Sequence, residues 1–362
     1  MVDDRPGFRK RCAGAEGGYP RGMDVREAAR ARARLAAAVR GHLGARGWLE
    51  VETPCLVPSP GMEPHIAAFE TRFVPEGGGP GQPLWLHTSP EYAMKRLLAR
   101  GLPRIFQLAR VFRNGELTAH HNPEFTMLEL YRAGTDYRGI MEDLEALVGG
   151  CALELCAGHE VRGPAGALDL SPPFERLSVA EAFRARAGVD LAACEGRAER
   201  LAEAARAAGL DPGRPGESFD DLFFRIFLDR IEPGLGAARP VYLVDWPAPL
   251  AALARLKPGD PLVAERFELY AGGLELANGF SELTDAAEQR RRLLSEREER
   301  RRLGRPLHPV DERFLEDLSR MPPAGGVALG FDRLLMLLAG ARTIEEVLLF
   351  PAAGLLAPGG TS

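Results

Sequence analysis

The sequence predicts an α+β fold in which a mixed, mostly antiparallel β-sheet is flanked by helices. Two observations place strands: residues 104–136 read as two strands joined by a polar loop, and residues 264–285 contain the glycine pairs of a β-hairpin. A third observation places a helix beside a strand, because residues 325–340 read as a glycine-flanked strand followed by an apolar helix. With 362 residues, 45% of them hydrophobic, the chain can bury the core of one large domain.

The chain begins with a tail and a capped helix. Residues 1–22 are rich in Gly, Arg and Pro and are predicted to be a loose N-terminal tail. Asp24 and Glu27 have the spacing of an N-terminal capping box, and the helix that follows has apolar residues at every fourth position: Leu35, Val39 and Leu43. A short strand that ends at Pro54 and a strand near residues 68–74 come next.

A strand, a turn and a helix follow in the segment LWLHTSPEYAMKRLLARG. Ser89 is predicted to be the helix N-cap with Pro90 at the first helical position, which puts Glu91 in the first turn. From the residues alone, the Glu91 carboxylate compensates the positive end of the helix dipole.

The strands at 105–113 and 124–131 carry charges in unusual places. Alternation puts four side chains of the second strand on one face: Phe125, Met127, Glu129 and Tyr131. Arg110, Arg113 and Glu124 are further charges of the pair, and charges in a buried strand need partners because desolvating an unpaired charge is costly. The pattern indicates either structural salt bridges or a site that binds a charged ligand.

Two other regions are helical by pattern but carry no chemical motif. Residues 137–235 are predicted to form a mostly helical insertion packed on the sheet, including a helix capped at Ser218. Residues 286–305 are predicted to form a highly charged helix, whose surface is either solvated or a basic docking face.

The predicted hairpin carries glutamates at seven-residue intervals, Glu268, Glu275 and Glu282. A two-residue Gly-Gly turn pairs Glu268 with Ala277, which makes Glu268 and Glu275 diagonal neighbours on one face. Like charges that close oppose folding unless a cation lies between them, and an oxygen-only ligand set suits Mg²⁺. A bulge at the Asn278-Gly279 dipeptide would bring Glu282 to the same face.

The composition limits the partners and the compartment. The net charge of −5 and the sequence pI of about 5.9 mean that the chain lacks the basic field by which most nucleic-acid binders attract phosphate. Five cysteines without a C-x-x-C pair argue against a zinc ribbon or a disulfide framework and favour reduced thiols. No apolar run approaches the roughly 20 residues that cross a bilayer, and no signal peptide precedes the first helix. We therefore expect a cytoplasmic protein without a membrane partner.

Three segments resemble the signature motifs of the class II aminoacyl-tRNA synthetases. The segment FRN, a short loop and HNPEFTMLELY, residues 112–131, resemble motif 2 in the form found in lysyl-tRNA synthetase and its relatives. The first helix, its strand and Pro54 resemble motif 1, which implies a homodimer, and GVALGFDRL at 326–334 resembles motif 3. The resemblance implies a class II catalytic core that activates an amino acid with ATP and Mg²⁺.

The resemblance also implies roles in the nucleotide site. Arg113 would hold the α-phosphate of ATP and Arg333 the other end of the phosphate chain, and these two are the predicted catalytic residues. Glu268 and Glu275 would hold the Mg²⁺, and Phe125 would stack on adenine. The remaining implied ATP contacts are Asn114, Glu116, His121, Asn122, Leu276 and Gly330.

The amino-acid site follows from the same resemblance. Glu282 and Tyr131 match residues that receive the side-chain ammonium of lysine, and Glu91 would lie near an amine. The other implied substrate contacts are Ser89, Pro90, Asn278 and Ala328.

The sequence departs from the family pattern at two positions. Gly115 stands where motif 2 has a glutamate that recognises adenine, and a loop shifted by one residue would let Glu116 substitute. Ala328 stands where lysyl-tRNA synthetases usually have glycine, and its methyl group predicts a substrate that differs from α-lysine around Cα.

The organisation of the chain favours a particular branch of that family. Residues 23–350 are predicted to be the catalytic domain, with a tail at 351–362, no anticodon-binding domain and no tRNA partner. The chain resembles the lysyl-tRNA synthetase paralogues that transfer (R)-β-lysine, or lysine, to a lysine side chain of elongation factor P. The alternatives are a truncated lysyl-tRNA synthetase-like enzyme that acts on tRNA and a non-catalytic regulatory paralogue.

Overall fold

The computed structural model describes residues 23–163 and 166–356, so the predicted N-terminal tail lies outside the described residues. Its strands are β1 (Leu49–Glu50), β2 (Leu56–Val57), β3 (Glu70–Phe73), β4 (Gln82–Leu86), β5 (Arg104–Phe112), β6 (Glu124–Ala133), β7 (Glu160–Gly163), β8 (Gly166–Asp169), β9 (Glu175–Ser178), β10 (Val241–Pro247), β11 (Leu256–Lys257), β12 (Asp260–Ala271), β13 (Leu274–Ser281) and β14 (Ala324–Gly330). Its α-helices are α1 (Val25–Gly44), α2 (Glu91–Ala99), α3 (Tyr137–Cys156), α4 (Val179–Ala187), α5 (Leu191–Cys194), α6 (Ala198–Ala207), α7 (Phe219–Ile226), α8 (Ala286–Arg302), α9 (Glu312–Leu318), α10 (Phe331–Ala339) and α11 (Ala352–Leu356).

The main sheet has the strand order β1-β5-β6-β14-β13-β12-β10-β9, and β11 pairs with β12. The two end pairs, β1 with β5 and β10 with β9, are parallel, whereas the other neighbours are antiparallel. The predicted fold class, a mixed and mostly antiparallel sheet flanked by helices, is therefore confirmed.

One face of the sheet is covered by α1, α3 and α10, which bury a continuous apolar core. The helix α1 begins with the predicted capping box, in which the Asp24 side chain accepts hydrogen bonds from the backbone N–H groups of Arg26 and Glu27. Its predicted apolar positions, Leu35, Val39 and Leu43, are fully buried against that core. Apolar spacing and the cap thus fix both the start of α1 and the face that it buries.

The start of α2 differs by one residue from the prediction. Pro90 is the N-cap and Glu91 the first helical residue, so Ser89 lies before the cap. The Ser89 hydroxyl still accepts a hydrogen bond from the backbone N–H of Glu91, at 3.0 Å. Because proline has no N–H, it is tolerated where a helix begins, and the one-residue difference leaves Glu91 in the first turn as predicted.

The hairpin β12-β13 turns at Gly272 and Gly273, both with positive φ, as the Gly-Gly pair predicts. Glu268 pairs with Asn278, however, and the predicted partner Ala277 is wrong by one residue. The cause is a bulge beside Leu276, earlier in β13 than the predicted Asn278-Gly279 position. Because one bulge inverts the side-chain alternation beyond it, Glu282 follows the strand on the same face as Glu275.

The region between β6 and β10 contains helices α3–α7, as predicted, and also three short strands that were not predicted. The strands β7 and β8 pair with each other, and β9 extends the main sheet beside β10. The helices α4–α7 pack on β10 and β12 through a second apolar cluster that includes Phe183, Phe223 and Trp246.

The thiols depart from the prediction at one position. Cys55, Cys151 and Cys194 are free, whereas Cys156 is disulfide-bonded, so the expectation of reduced thiols is wrong there. Within the described ranges, the structure has no helix that is both long and apolar enough to cross a membrane.

Candidate active site

A cavity of about 300 Å³ lies on the face of the sheet opposite α1, α3 and α10. Its lining includes thirteen of the residues that the sequence singled out: Ser89, Glu91, Arg113, His121, Asn122, Phe125, Tyr131, Glu275, Leu276, Asn278, Ala328, Gly330 and Arg333. The other predicted site residues lie beside or behind the lining: Pro90, Asn114, Glu116, Glu268 and Glu282. The structure thus brings segments that are far apart in sequence to one cavity.

Strand register explains why these segments meet. One transverse row across four neighbouring strands consists of Glu129, Ala328, Asn278 and Glu268. The next row, two residues along each strand, consists of Tyr131, Gly326, Phe280 and Arg266. Because residues two apart in a strand share a face, both rows point toward the cavity.

At the end of the cavity that the sequence predicts to bind the nucleotide, the Arg333 guanidinium is held by its neighbours. It donates to the backbone carbonyl of Glu275 at 2.7 Å and to Nε2 of His121 at 2.6 Å. Burial, with Arg333 and Arg113 nearby, lowers the pKa of His121 to about 4, so the imidazole is neutral and accepts this hydrogen bond. Arg333 is therefore preorganised as a fixed cation at the start of α10.

Arg113 faces the same space from the loop after β5. Its guanidinium lies 5.3 Å from the ring centroid of Phe125, and its Nη1 lies 3.8 Å from Oε1 of Glu116. Glu116 thus contacts the arginine, and the cavity lining does not include it. Arg113 and Phe125 form the stacked cation and ring that a phosphate and an adenine would approach.

Asn122 and Asn114 have mainly structural contacts. The buried Asn122 amide donates to the carbonyl of Glu124 at 2.6 Å, and its oxygen accepts from the backbone N–H of Ala352 at 2.9 Å. The helix α11, which lies within the predicted C-terminal tail, is therefore fixed to the motif 2 loop. Asn114 is exposed, and its backbone N–H bonds to the carbonyl of Ala67.

Glu268 and Glu275 supply the oxygen ligands that a divalent cation would use. Glu268 is buried, and its carboxylate accepts from Arg266 and from the Tyr270 hydroxyl, each at 2.6 Å. Burial raises the pKa of Glu268 to about 7, with Glu275 acting in the same direction and Arg266 in the opposite one. Repulsion of this kind is relieved by a cation, so the pair fits Mg²⁺, which takes few carboxylates and keeps waters and phosphate oxygens.

No cluster of three or more potential metal-binding side chains occurs in the part of the chain that the structure describes. A bound ion would thus rest on the two carboxylates and on the nucleotide.

At the other end of the cavity, Glu91 belongs to the lining and two buried carboxyl groups lie next to residues of the lining. We call these three the acidic floor: Glu91, Glu129 and Glu282. Glu129 is fully buried and accepts from the hydroxyls of Ser89 at 2.5 Å and Tyr131 at 2.8 Å. Burial raises the pKa of Glu129 to about 8, with Glu91 adding to the effect. The acidic floor is therefore an environment that favours a bound cation.

Sequence reasoning missed two charged residues of this floor. It placed Glu129 on the same face as Tyr131 but assigned it no role, although that alternation was the signal that could have found it. The second is Lys95, whose ammonium lies between Glu91 and Glu282. Lys95 lies among apolar positions of α2, so its sequence pattern resembles an ordinary amphipathic helix.

A comparison with known families agrees with this arrangement. Residues 19–354, which include the strands and helices around the cavity, match the family model of tRNA synthetases class II (D, K and N). Synthetases of this class use ATP and Mg²⁺ in general. The chain belongs to the class II tRNA synthetases of the D, K and N group.

Proposed function

We propose that the chain activates a lysine-type diamino acid, (R)-β-lysine or lysine, as its acyl-adenylate and transfers it to a lysine side chain of elongation factor P. The observation that carries this proposal is the acidic floor. Aspartate would be repelled by it, and asparagine would leave its charges uncompensated, whereas an ammonium group would pair with them. Among the three amino acids of the family, the floor therefore favours lysine or an isomer of it.

The activation step needs positioning and charge neutralisation more than proton transfer. The substrate carboxylate is already ionised and attacks the α-phosphorus of ATP, whose bond to pyrophosphate breaks. Arg113 would hold the α-phosphate, and Arg333 the other end of the phosphate chain. Glu268 and Glu275 would hold Mg²⁺, which neutralises phosphate charge when bound.

The transfer step would use an amine nucleophile. The neutral amine of the acceptor lysine attacks the carbonyl carbon of the adenylate, and AMP leaves with the electron pair of the broken C–O bond. The amine then loses a proton, and an amide remains. A protein acceptor is supported by the acidic net charge, since tRNA binding normally relies on basic surface.

The resemblance of the first helix to motif 1 supports a homodimer.

The experiment that tests this function is transfer of labelled lysine and (R)-β-lysine by the purified protein. Purified elongation factor P and bulk tRNA are offered in separate reactions with ATP and Mg²⁺. We expect label on elongation factor P and none on tRNA. Label on tRNA alone would identify a tRNA-charging enzyme, and absence of adenylate formation with either isomer would indicate a regulatory paralogue.

Glu282→Gln is expected to weaken amino-acid binding much more than ATP binding. The change keeps the size of the side chain but removes the group whose ionised form would pair with the substrate ammonium, so the KM for the amino acid should rise by at least about tenfold. The KM for ATP should stay within about threefold of the wild-type value. Steady-state pyrophosphate exchange measures both constants, and equal losses for the two substrates would remove Glu282 from the amino-acid site.

Ala328→Gly is expected to shift isomer preference toward α-lysine. Ala328 lines the cavity and pairs with Glu129 on one side and Asn278 on the other, so its methyl group belongs to a row of residues that faces the cavity. Removing one methyl group should change the ratio of kcat/KM for (R)-β-lysine over α-lysine by about 10-fold or more. An unchanged ratio would show that Ala328 does not select the isomer.

A further inference from the structure

Lys95 is a buried cation that the proposed reaction does not use. Its side chain is 1% exposed, and its Nζ lies 2.5 Å from Oε1 of Glu91 and 2.5 Å from Oε2 of Glu282. The same Nζ lies 5.3 Å from the ring centroid of Phe280, which lines the cavity. Lys95 therefore forms ion pairs with two carboxylates of the acidic floor.

This ion pair leaves one oxygen of Glu282 for a ligand. While Oε2 faces Lys95, Oε1 is buried, has no hydrogen-bond partner among the described residues and lies close to Gly326. Gly326 and Tyr131 both line the cavity. A buried carboxylate oxygen without a donor is costly unless a ligand supplies one.

The carboxyl groups of the floor depend on nearby cations for their ionised form. Burial raises the pKa of both Glu129 and Glu282 to about 8, whereas Lys95 acts in the opposite direction on both. A substrate ammonium group would act in the same direction as Lys95 and favour the ionised carboxylates. Without Lys95, the floor would lose the cation that favours its ionised form in the absence of substrate.

We propose that Lys95 is a positioning residue that holds Glu91 and Glu282 in place for the ammonium group of the substrate. This inference rests on the proposed function. It assigns Lys95 to amino-acid selection, without contact to the reacting atoms.

The titration of Glu282 gives the proposal a measurable signature. Burial raises the pKa of Glu282 to about 8; Lys95 acts against this rise, and Glu91 and Glu129 add to it. Tyr131 faces the same group from β6, and two carboxylates beyond Glu91, those of Glu63 and Glu296, also line the cavity. Burial alone would lower the pKa of Lys95, but its carboxylate partners outweigh burial and raise it, so the ammonium stays charged in neutral solution.

Removing the ammonium should therefore raise the pKa of Glu282 further. Below its pKa a carboxyl group is neutral and binds an ammonium group poorly. The loss of amino-acid affinity in a variant without Lys95 should therefore be largest at low pH. For Lys95→Met, we expect the amino-acid KM at pH 7 to rise by about tenfold or more. The difference between the KM values of the variant and the wild type should narrow as the pH approaches 9. The KM for ATP and the kcat at saturation should stay within about threefold.

Chemical rescue distinguishes charge from packing. Lys95→Ala removes a propylammonium-sized group, so added propylammonium should lower the amino-acid KM of this variant, whereas propanol should not. The same additives are also tested with the wild-type protein, to measure how strongly they compete with the amino acid for the cavity. Lys257→Met is the matched control, because Lys257 is an ion-paired lysine of β11 that is absent from the cavity lining.

Three results for Lys95→Met would overturn the proposal. The first is an unchanged amino-acid KM, and the second is a rise in that KM that does not depend on pH. The third is an equal loss of ATP binding, which would show that Lys95 is only a structural counter-ion. Wild-type protein that forms no adenylate with any lysine isomer would instead refute the proposed function. The two failures are thus distinguishable in the same set of assays.

Discussion

Arg113→Ala is expected to lower kcat/KM for amino-acid-dependent pyrophosphate exchange by about 10²–10³-fold, the usual effect of removing one preorganised donor to a transition-state oxyanion. Arg113 reaches the cavity from the end of β5 and stacks on Phe125, so its loss removes positive charge where the α-phosphate would bind. The expected change lies mainly in kcat, because the charge on the phosphate oxygens grows in the transition state.

Arg110→Ala is the matched control for that prediction. Arg110 lies on β5, three residues before Arg113, its side chain is 52% exposed, and its ion pair with Glu124 is long, at 3.9 Å. Exposed pairs of this kind contribute little, so exchange should stay within about twofold of wild type. Similar losses for Arg110→Ala and Arg113→Ala would show that general charge, and not a phosphate contact, explains the effect.

Gly326→Ala is expected to abolish amino-acid binding while ATP binding survives. A Cβ on Gly326 would overlap Oε1 of Glu282 and the ring of Tyr131, so both side chains would have to leave the floor. A displacement of about 1 Å in a substrate-positioning group can cost about 10²-fold in rate, and we expect at least that loss in kcat/KM for the amino acid. Pyrophosphate exchange over a range of amino-acid concentrations, together with direct calorimetry of ATP binding, measures both effects.

Gly41→Ala serves as the control for the added methyl group. Gly41 lies inside α1, and among the described residues nothing beyond the backbone of the helix itself lies within 4 Å of where a methyl group would be. Its substitution should leave exchange unchanged and favour the helix slightly. A Gly326→Ala variant with normal amino-acid KM would show that the substrate ammonium does not bind at Glu282.

Much of the site could be predicted because the relevant signals are local. The Gly-Gly turn fixes the hairpin and its glutamates, and alternation fixes the cavity face of β6. Arg113 and Arg333 were placed by the resemblance of their segments to class II motifs. The bulge was placed wrongly because Asn278-Gly279 has the stronger local signal, whereas the observed bulge beside Leu276 depends on pairing with β12.

The rest depends on contacts between distant segments. The spacing of Glu91 and Lys95 predicts only an ion pair along α2. The second partner, Glu282, lies almost two hundred positions away, and only the packing of α2 under the sheet brings it to Lys95. Asn122 lines the cavity, and its amide also has two hydrogen bonds that its motif did not predict, to Glu124 and to Ala352 of α11. Burial and tertiary hydrogen bonding decide such cases, and a single sequence does not encode them locally.

Amino-acid-dependent pyrophosphate exchange with a panel of substrates tests the central claim most directly. Purified protein, ATP and Mg²⁺ are combined with aspartate, asparagine, α-lysine or (R)-β-lysine in separate reactions. The acidic floor predicts exchange with a lysine isomer and none above background with aspartate or asparagine. Exchange that depends on aspartate or asparagine, with none for either lysine, would contradict it.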